Sequence, residues 1–322
     1  MISMNSSNRL NAHYFTDLLV SENEAFMKIG GSGEFISMPE NVQDDVQTLY
    51  KLCCETQLQD GRIEHDGITY RCSRISTVSG LVFALRRPML ALPRLEKLGY
   101  LSALTKRLMT NAPLPNGIQN GLIIFSGVTC SGKTTSAGAL IVERLTQYGG
   151  LAVTIEDPPE LPLQGVYGPG GHGRCYQIRD ISEMGGVAAA GSATLRFGSP
   201  NIIMYGEIRE AKAASEAIRA ALSGHLIITT LHSSGIPETI ERLIAFAIET
   251  SGPAAPLQLA NGLSCVVHQR LEGTGNNKLQ LYADFLFVTE SVRAKIRERQ
   301  LHTLETEIMQ QKNQMLLQPR GR

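Results

Sequence analysis

Hydrophobic and polar positions along the chain change period several times, and each change marks an element. LYKLCCETQL (49–58) carries apolar side chains at helical spacing, whereas ITYRCSRIST (68–77) and GLVFALRR (80–87) read as strands parted by the turn-like VSG. RRPMLALPRLEKLGY (86–100) holds two prolines and reads as a linker, and NAPLPNG (111–117) as a further loop. Short apolar runs then alternate with amphipathic stretches: strand GLIIFS (121–126), helix KTTSAGALIVERLTQYG (133–149), strand LAVTIED (151–157). A glycine-rich loop, GVYGPGGHGR (165–174), leads to helix GGVAAAGSATLR (185–196) and strand NIIMYGE (201–207). Helix REAKAASEAIRAALSG (209–224) and strand HLIITTLH (225–232) follow. In PETIERLIAFAIET (237–250), Ile240, Leu243, Ile244 and Ala247 share one helical face, and Pro237 suits the first turn. TESVRAKIRERQLHTLETEIMQQKNQ (289–314) reads as a long charged helical stretch packed on the domain.

Strands alternating with helices imply right-handed crossovers and a largely parallel sheet, whose ligands sit at the carboxyl ends of the strands. The pattern predicts two domains: a smaller mixed α+β domain with its linker over 1–95, and an α/β domain with a helical C-terminal extension over 96–322. Composition narrows the function. Thirty basic and thirty acidic side chains cancel, so no net positive field favours nucleic acid or an acidic membrane. No apolar run approaches the roughly 20 residues of a bilayer span. The opening MISMNSSNRLNAHYF lacks the apolar core of a secretory signal. Cysteines 53, 54, 72, 130, 175 and 265 form no Cys-x-x-Cys pair and no evident disulfide framework. The expectation is a reduced, cytosolic protein.

The chemistry concentrates at the predicted strand ends. GVTCSGKTT (127–135) places Gly127, Gly132, Lys133 and Thr134 in the pattern G-x-x-x-x-G-K-[ST], after a strand and before a helix. Backbone N–H groups from Gly127, Val128, Thr129, Cys130, Ser131, Gly132 and Thr135 can cradle phosphates. Lys133 can neutralise the β and γ oxygens, and the Thr134 hydroxyl can ligate magnesium. Glu207, at the end of NIIMYGE, is the candidate to orient and deprotonate an attacking water, although Gly206 stands where an aspartate commonly precedes it. Glu156 and Asp157, beside prolines in TIEDPPE, form a second acidic turn able to hold magnesium or its waters. TTLHSSG closes a third strand with His232, and His225 opens that strand.

Together GVTCSGKTT, TIEDPPE, YGEIRE and GHLIITTLHSSG resemble, in order and spacing, four nucleotide motifs of the type II/type IV secretion and type IV pilus ATPases. VVHQRL and TESVRAKIRE resemble C-terminal segments of that family's short members, those of pilus retraction and of conjugation or effector export. The resemblance implies a RecA-like P-loop NTPase domain behind the smaller domain, a homohexameric ring, and ATP with Mg2+ as its ligands. It also implies a position at the cytoplasmic face of the inner membrane, peripheral to it, with membrane-platform or secretion-complex proteins as partners. Carried over by residue, Lys133 and Thr134 bind phosphate and magnesium, Glu207 is the base and Glu156 supports metal or water. His232 contacts the γ-phosphate, His225 matches the first histidine of the same box, and Arg209 matches the arginine after Gly-Glu. Arginines of the smaller domain also reach nucleotide in the family; Arg71, Arg74 and Arg86 are the candidates here.

Three positions depart from the family pattern: Cys130 for a loop glycine, Asn201 for an aspartate before the strand, and Glu210 for an aspartate after Gly-Glu-Ile-Arg. The four-cysteine metal insert of larger members is absent. A left-handed backbone at Cys130 would cost about 1 kcal/mol. The rival readings are a RecA-like nucleic-acid translocase, against which the neutral charge and the lack of an aromatic or basic stripe count, and a nucleotide-gated, non-hydrolysing structural subunit. No stable nucleic-acid contact is expected.

Overall fold

The structure, a computed structural model of the chain, describes residues 10–13, 15–28, 35–56, 60–89, 91–110, 119–157, 159–178, 181–273 and 279–317. The loop expected at 111–117 lies outside them. The chain divides into two compact units, Met1–Leu90 and Ala91–Arg322.

The first unit is an antiparallel sheet with one helix. Strands β1 (Asp17–Val20), β2 (Ala25–Lys28) and β3 (Phe35–Ser37) precede helix α1 (Gln43–Glu55), and β4 (Asp60–His65), β5 (Ile68–Thr77) and β6 (Gly80–Arg86) follow it. The strand order is β3-β2-β1-β6-β5-β4. Ile68, Tyr70 and Cys72 alternate inward along β5, and Val46, Leu49 and Cys53 form the buried stripe of α1; all six join one core with Leu18, Phe83 and Leu85. Helix α1 starts six residues before the stretch that carries its apolar spacing, because only its second half is apolar enough to register as a helical stripe.

The second unit holds α2 (Ser102–Met109), β7 (Gly121–Gly127), α3 (Lys133–Tyr148), β8 (Gly150–Ile155), β9 (Gly165–Tyr167), β10 (Gly173–Gln177), α4 (Val187–Thr194) and β11 (Ile202–Tyr205). It continues with α5 (Ala211–Leu222), β12 (Leu226–His232), α6 (Ile236–Ser251), α7 (Ala255–Gly262), β13 (Leu263–Gly273), β14 (Leu279–Phe287), α8 (Glu290–Arg297) and α9 (Leu304–Leu317). Eight strands run in the order β14-β13-β7-β12-β11-β8-β10-β9. The pairings from β13 through β10 are parallel, and the edge strands β14 and β9 are antiparallel to their neighbours. This is the α/β sheet that the alternation predicted. Its central strands are buried on both faces, so they read as continuous apolar runs. In β7, Leu122 and Ile124 feed one core while Ile123 and Phe125 feed the other. Helix α3 covers the second core with Leu140, Ile141 and Leu145; α6 covers the first with Ile240, Leu243, Ile244 and Ala247, all fully buried. Each such Leu or Ile contributes about 1.5–3 kcal/mol through burial.

Two segments differ from expectation. The glycine-rich stretch 165–174 is not a plain loop: β9 and the start of β10 extend the sheet beyond β8, and left-handed Gly168, Gly170 and Gly171 make the turn between them. The C-terminal helical stretch is broken after α8. Arg299 adopts a φ of 57°, and the chain turns so that Leu301, Leu304 and Ile308 reach the core. A straight helix would carry those side chains past the surface they bury against.

Candidate active site

Four strand ends emerge along one edge of the second sheet. Gly127 is the register partner of His232, and Tyr205 pairs with both Ile155 and Thr229. The residues after β7, β8, β11 and β12 therefore meet where a parallel sheet binds its ligands. The segment after β11 stays tied to its neighbours: the Gly206 N–H donates to the Ile155 carbonyl (2.9 Å), the Thr230 hydroxyl to the Gly206 carbonyl (2.7 Å), and the Ile208 N–H to the Thr230 carbonyl (3.2 Å). Glu207 is held between these anchors.

The loop from β7 to α3 has the backbone a phosphate cradle needs. Gly127 has a φ of 147°, Gly132 of 82° and Cys130 of 62°. A cysteine thus sits in the left-handed region, at a cost of about 1 kcal/mol. Val128, Thr129 and Cys130 are exposed, Ser131 is buried, and Thr134 and Thr135 lie half-buried on the first turn of α3. Lys133 is 6% exposed; its Nζ donates to the Val128 carbonyl at 2.8 Å and lies 3.3 Å from His232 Nδ1. Burial lowers the Lys133 pKa, and the Glu207 carboxylate pulls it back up.

Those contacts fix the protonation of His232. An ammonium has donors only, so Nδ1 accepts from Lys133 and the neutral ring carries its proton on Nε2. Nε2 faces Glu207 Oε1 at 3.4 Å. Burial, then the Lys133 charge, lower the His232 pKa, and Glu207 raises it in part. From α6, the Arg242 guanidinium donates to the His232 carbonyl (2.7 Å). Arg209 grips the other side of Glu207, with Nη2 at 2.7 Å and Nε at 2.9 Å, and this bond raises the Arg209 pKa. Lys133, His232, Glu207 and Arg209 form one continuous polar chain from the loop to the end of β11.

Glu156 lies at the end of the adjacent strand in a different setting. It is 4% exposed, accepts from Gln177 Nε2 (3.1 Å) and the Glu160 N–H (3.4 Å), and burial pushes its pKa up. Gly206 makes room for it, since a Cβ there would stand 3.0 Å from Glu156 Cγ. That contact explains why a glycine, and no aspartate, precedes Glu207. Asp157 is exposed.

The structure does not bring His225 to the loop. It precedes β12 at the opposite edge of the sheet, roughly 20 Å of strand away from His232. Its Nδ1 is buried with no hydrogen-bond partner among the described residues. A parallel strand delivers only its carboxyl end to the site, so the two histidines of one strand cannot both serve it. Asn201 lies at that far edge too, where its Oδ1 accepts from the Leu151 N–H (2.9 Å). Glu210 immediately precedes α5. Arg71, Arg74 and Arg86 belong to the first unit, where Arg71 and Arg86 are cross-strand partners and Arg86 Nε donates to Asp17 (2.9 Å).

Sequence reasoning missed Gln269. It is 1% exposed on β13, and its Nε2 donates to the Ser131 carbonyl (2.6 Å). The sequence carries only a weak signal for it, an amide shortly after Val266 and Val267 in LSCVVHQRL that needs partners once buried.

Among the described residues no cluster of three or more His, Cys, Asp or Glu side chains could cage a metal. The candidate donors are the Thr134 hydroxyl, half-buried on the first turn of α3, and the Glu156 carboxylate, buried just after β8. They fit magnesium, which keeps waters and phosphate oxygens and takes only one or two protein ligands.

Residues 55–318 match the family model described as Type II/IV secretion system protein. Uncharacterized protein YggR of Escherichia coli K12 is 32% identical over 237 residues, covering 73% of this chain and 68% of that one. The type IV pilus ATPase PilU of Pseudomonas aeruginosa is 30% identical over 224 residues, 69% of this chain and 54% of PilU. The pilus assembly ATPase PilB of Acinetobacter baylyi is 30% identical over 220 residues, 66% of this chain but 34% of PilB. In fold, the pilus retraction motor PilT with bound ADP superposes with a TM-score of 0.72 at 24% identity, covering 91% of this chain and 84% of PilT.

Proposed function

Because this chain belongs to the type II/IV secretion and type IV pilus ATPase family, we propose that it hydrolyses ATP to drive type IV pilus extension or retraction, or secretion of macromolecules. The observation that carries this reading is the chain from Lys133 through His232 to Glu207 at the carboxyl edge of the sheet. It links the residue that meets phosphate to the residue that activates water, through a neutral imidazole whose tautomer is set at both ends.

Binding starts at the loop. Incoming phosphate oxygens replace the Val128 carbonyl and His232 Nδ1 as acceptors for Lys133, and the N-terminus of α3 adds its N–H groups. Thr134 would hold magnesium and Glu156 would support it or its waters; the metal would supply charge neutralisation on the phosphates. Once Lys133 has moved, His232 Nδ1 has lost its donor, and a proton taken up there from solvent lets the ring donate to the γ-phosphate while Nε2–H still faces Glu207. Glu207, steered by Arg209, takes the proton of the attacking water. A homohexameric ring, peripheral at the cytoplasmic face of the inner membrane and working against platform or secretion-complex proteins, is the assembly this reading carries with it.

Phosphate release by the purified chain beside Lys133→Ala tests it. Wild type should turn over ATP with magnesium and the variant should neither bind nor hydrolyse it, because no other side chain of the loop offers a fixed positive charge. Near wild-type ATP affinity in Lys133→Ala would remove the loop from the mechanism.

A further inference from the structure

The two signature glycines of the loop face the same residue. A Cβ at Gly127 would run into the backbone carbonyl of Gln269, and one at Gly132 would stand 3.3 Å from its side-chain Nε2. Gln269 therefore forms the wall against which the loop is folded. It also holds the loop by a bond, from its Nε2 to the Ser131 carbonyl at 2.6 Å.

That bond does more than pack. The peptide between Ser131 and Gly132 is planar and trans, so its C=O and N–H point in opposite directions. Drawing the Ser131 carbonyl toward β13 aims the Gly132 N–H away from β13, and Gly132 is the N-cap of α3. An N-cap amide belongs to the set of unpaired donors that meet an anion at a helix start. The amide of Gln269 is itself oriented from behind. Tyr100 places its hydroxyl 2.5 Å from Gln269 Oε1 and 2.8 Å from Ser136 Oγ. With one proton, Tyr100 donates to the amide oxygen and accepts from Ser136. The Ser131 carbonyl can only accept, so it assigns the amide nitrogen to the loop side and leaves Oε1 to face Tyr100. Burial raises the Tyr100 pKa, so the phenol keeps the proton this arrangement needs.

We propose that Gln269, locked by Tyr100, is the positioning residue of the phosphate loop, fixing the Ser131–Gly132 peptide so that the Gly132 N–H serves a bound diphosphate. The role rests on the nucleotide-binding reading above. It touches no reacting atom and acts through the loop backbone.

The test is calorimetric titration of the full chain with inorganic pyrophosphate and with ADP, for wild type, Gln269→Met and Tyr100→Phe, with the melting midpoint of each ligand-free protein beside it. Methionine keeps length and burial and loses the donor. Gln269→Met should weaken pyrophosphate and ADP by the same factor, about tenfold or more, the range for losing a partner that orients a binding group. Tyr100→Phe should weaken both by roughly threefold, the worth of one net hydrogen bond of somewhat under 1 kcal/mol. A lowered melting midpoint with unchanged pyrophosphate affinity makes Gln269 packing only and overturns the proposal, as does a loss for ADP without a loss for pyrophosphate. If Gln269→Met fails to fold, Tyr100→Phe decides: pyrophosphate affinity equal to wild type overturns the positioning role. Wild type that binds neither probe defeats the nucleotide reading itself, a result distinct from a variant that matches a binding-competent wild type.

Discussion

Glu156 and Glu207 end neighbouring parallel strands, yet their surroundings are opposed. Glu156 is sealed in, fed by an amide and a backbone N–H, and burial makes its charged form costly. Glu207 is partly open, with a guanidinium on one side and a neutral imidazole on the other. The base of the proposed reaction needs a side open to water, and the partly exposed Glu207 has one. Glu156 is placed to hold something still. In the proposed mechanism the same side chain takes two duties, because one strand end is roofed and the other is not.

The largest effect should come from exchanging carboxylate for amide at the open end. Glu207→Gln keeps the shape and loses the proton acceptor; phosphate release should fall at least about a hundredfold while ATP binding persists. Glu156→Gln should cost about tenfold in turnover, as a supporting group does. If Glu156→Gln is the dead variant and Glu207→Gln is merely slow, the duties are reversed. The two should differ in stability as well. The Glu156 pKa is raised in the fold, so wild type gains stability as pH falls and loses it as pH rises through that raised value. Glutamine has no such dependence. Glu156→Gln should melt above wild type at pH 7, and the gap should close by about pH 4, near the ordinary carboxyl value.

Much of this comparison was legible in the sequence, because strand ends in a parallel sheet announce themselves. NIIMYGE and HLIITTLH finish on Glu207 and His232, LAVTIED carries Glu156 one residue before its end, and GLIIFS leads directly into the loop at Gly127. The contrast between the two glutamates was not legible, since it depends on Gln177, twenty-one residues beyond Glu156, folding back to reach it. Gln269 was hidden for the same reason: β13 lies beside β7 through a pairing between segments more than 130 residues apart. His225 was misplaced because a motif gives order along the chain, whereas the sheet decides which end of the strand meets the ligand. The break at Arg299 escaped detection because its flanks keep helical spacing on both sides, and the bend exists to bury Leu301 and Leu304.

Gly206 is the hinge of the comparison, and a single methyl tests it. Gly206→Ala presses on Glu156 Cγ, and the ladder bonds on either side hold the backbone in place. Overpacking of this kind costs about 1–3 kcal/mol. Urea denaturation should register that loss in the Glu156 background and much less of it in Glu156→Ala, where the space is vacant. Equal losses in both backgrounds would mean that the alanine strains the backbone and does not touch Glu156.

The smallest effect should come from Arg209, and it separates steering from direct contact. Its side chain is 69% exposed although it grips Glu207 twice. An exposed ion pair contributes about 0–1 kcal/mol, so Arg209→Ala should leave the urea midpoint nearly unchanged. Turnover should fall only about threefold, because His232 still faces Glu207 from the other side and preserves part of its orientation. Salt sharpens the reading. At about 1 M ionic strength the screening length shrinks to roughly 3 Å, and wild type should lose the advantage that Arg209 gave it. The ratio of wild-type to variant turnover should then approach one as sodium chloride is raised. A variant as inactive as Glu207→Gln at every salt concentration would place the guanidinium on the reacting phosphate and take away its role as the keeper of Glu207.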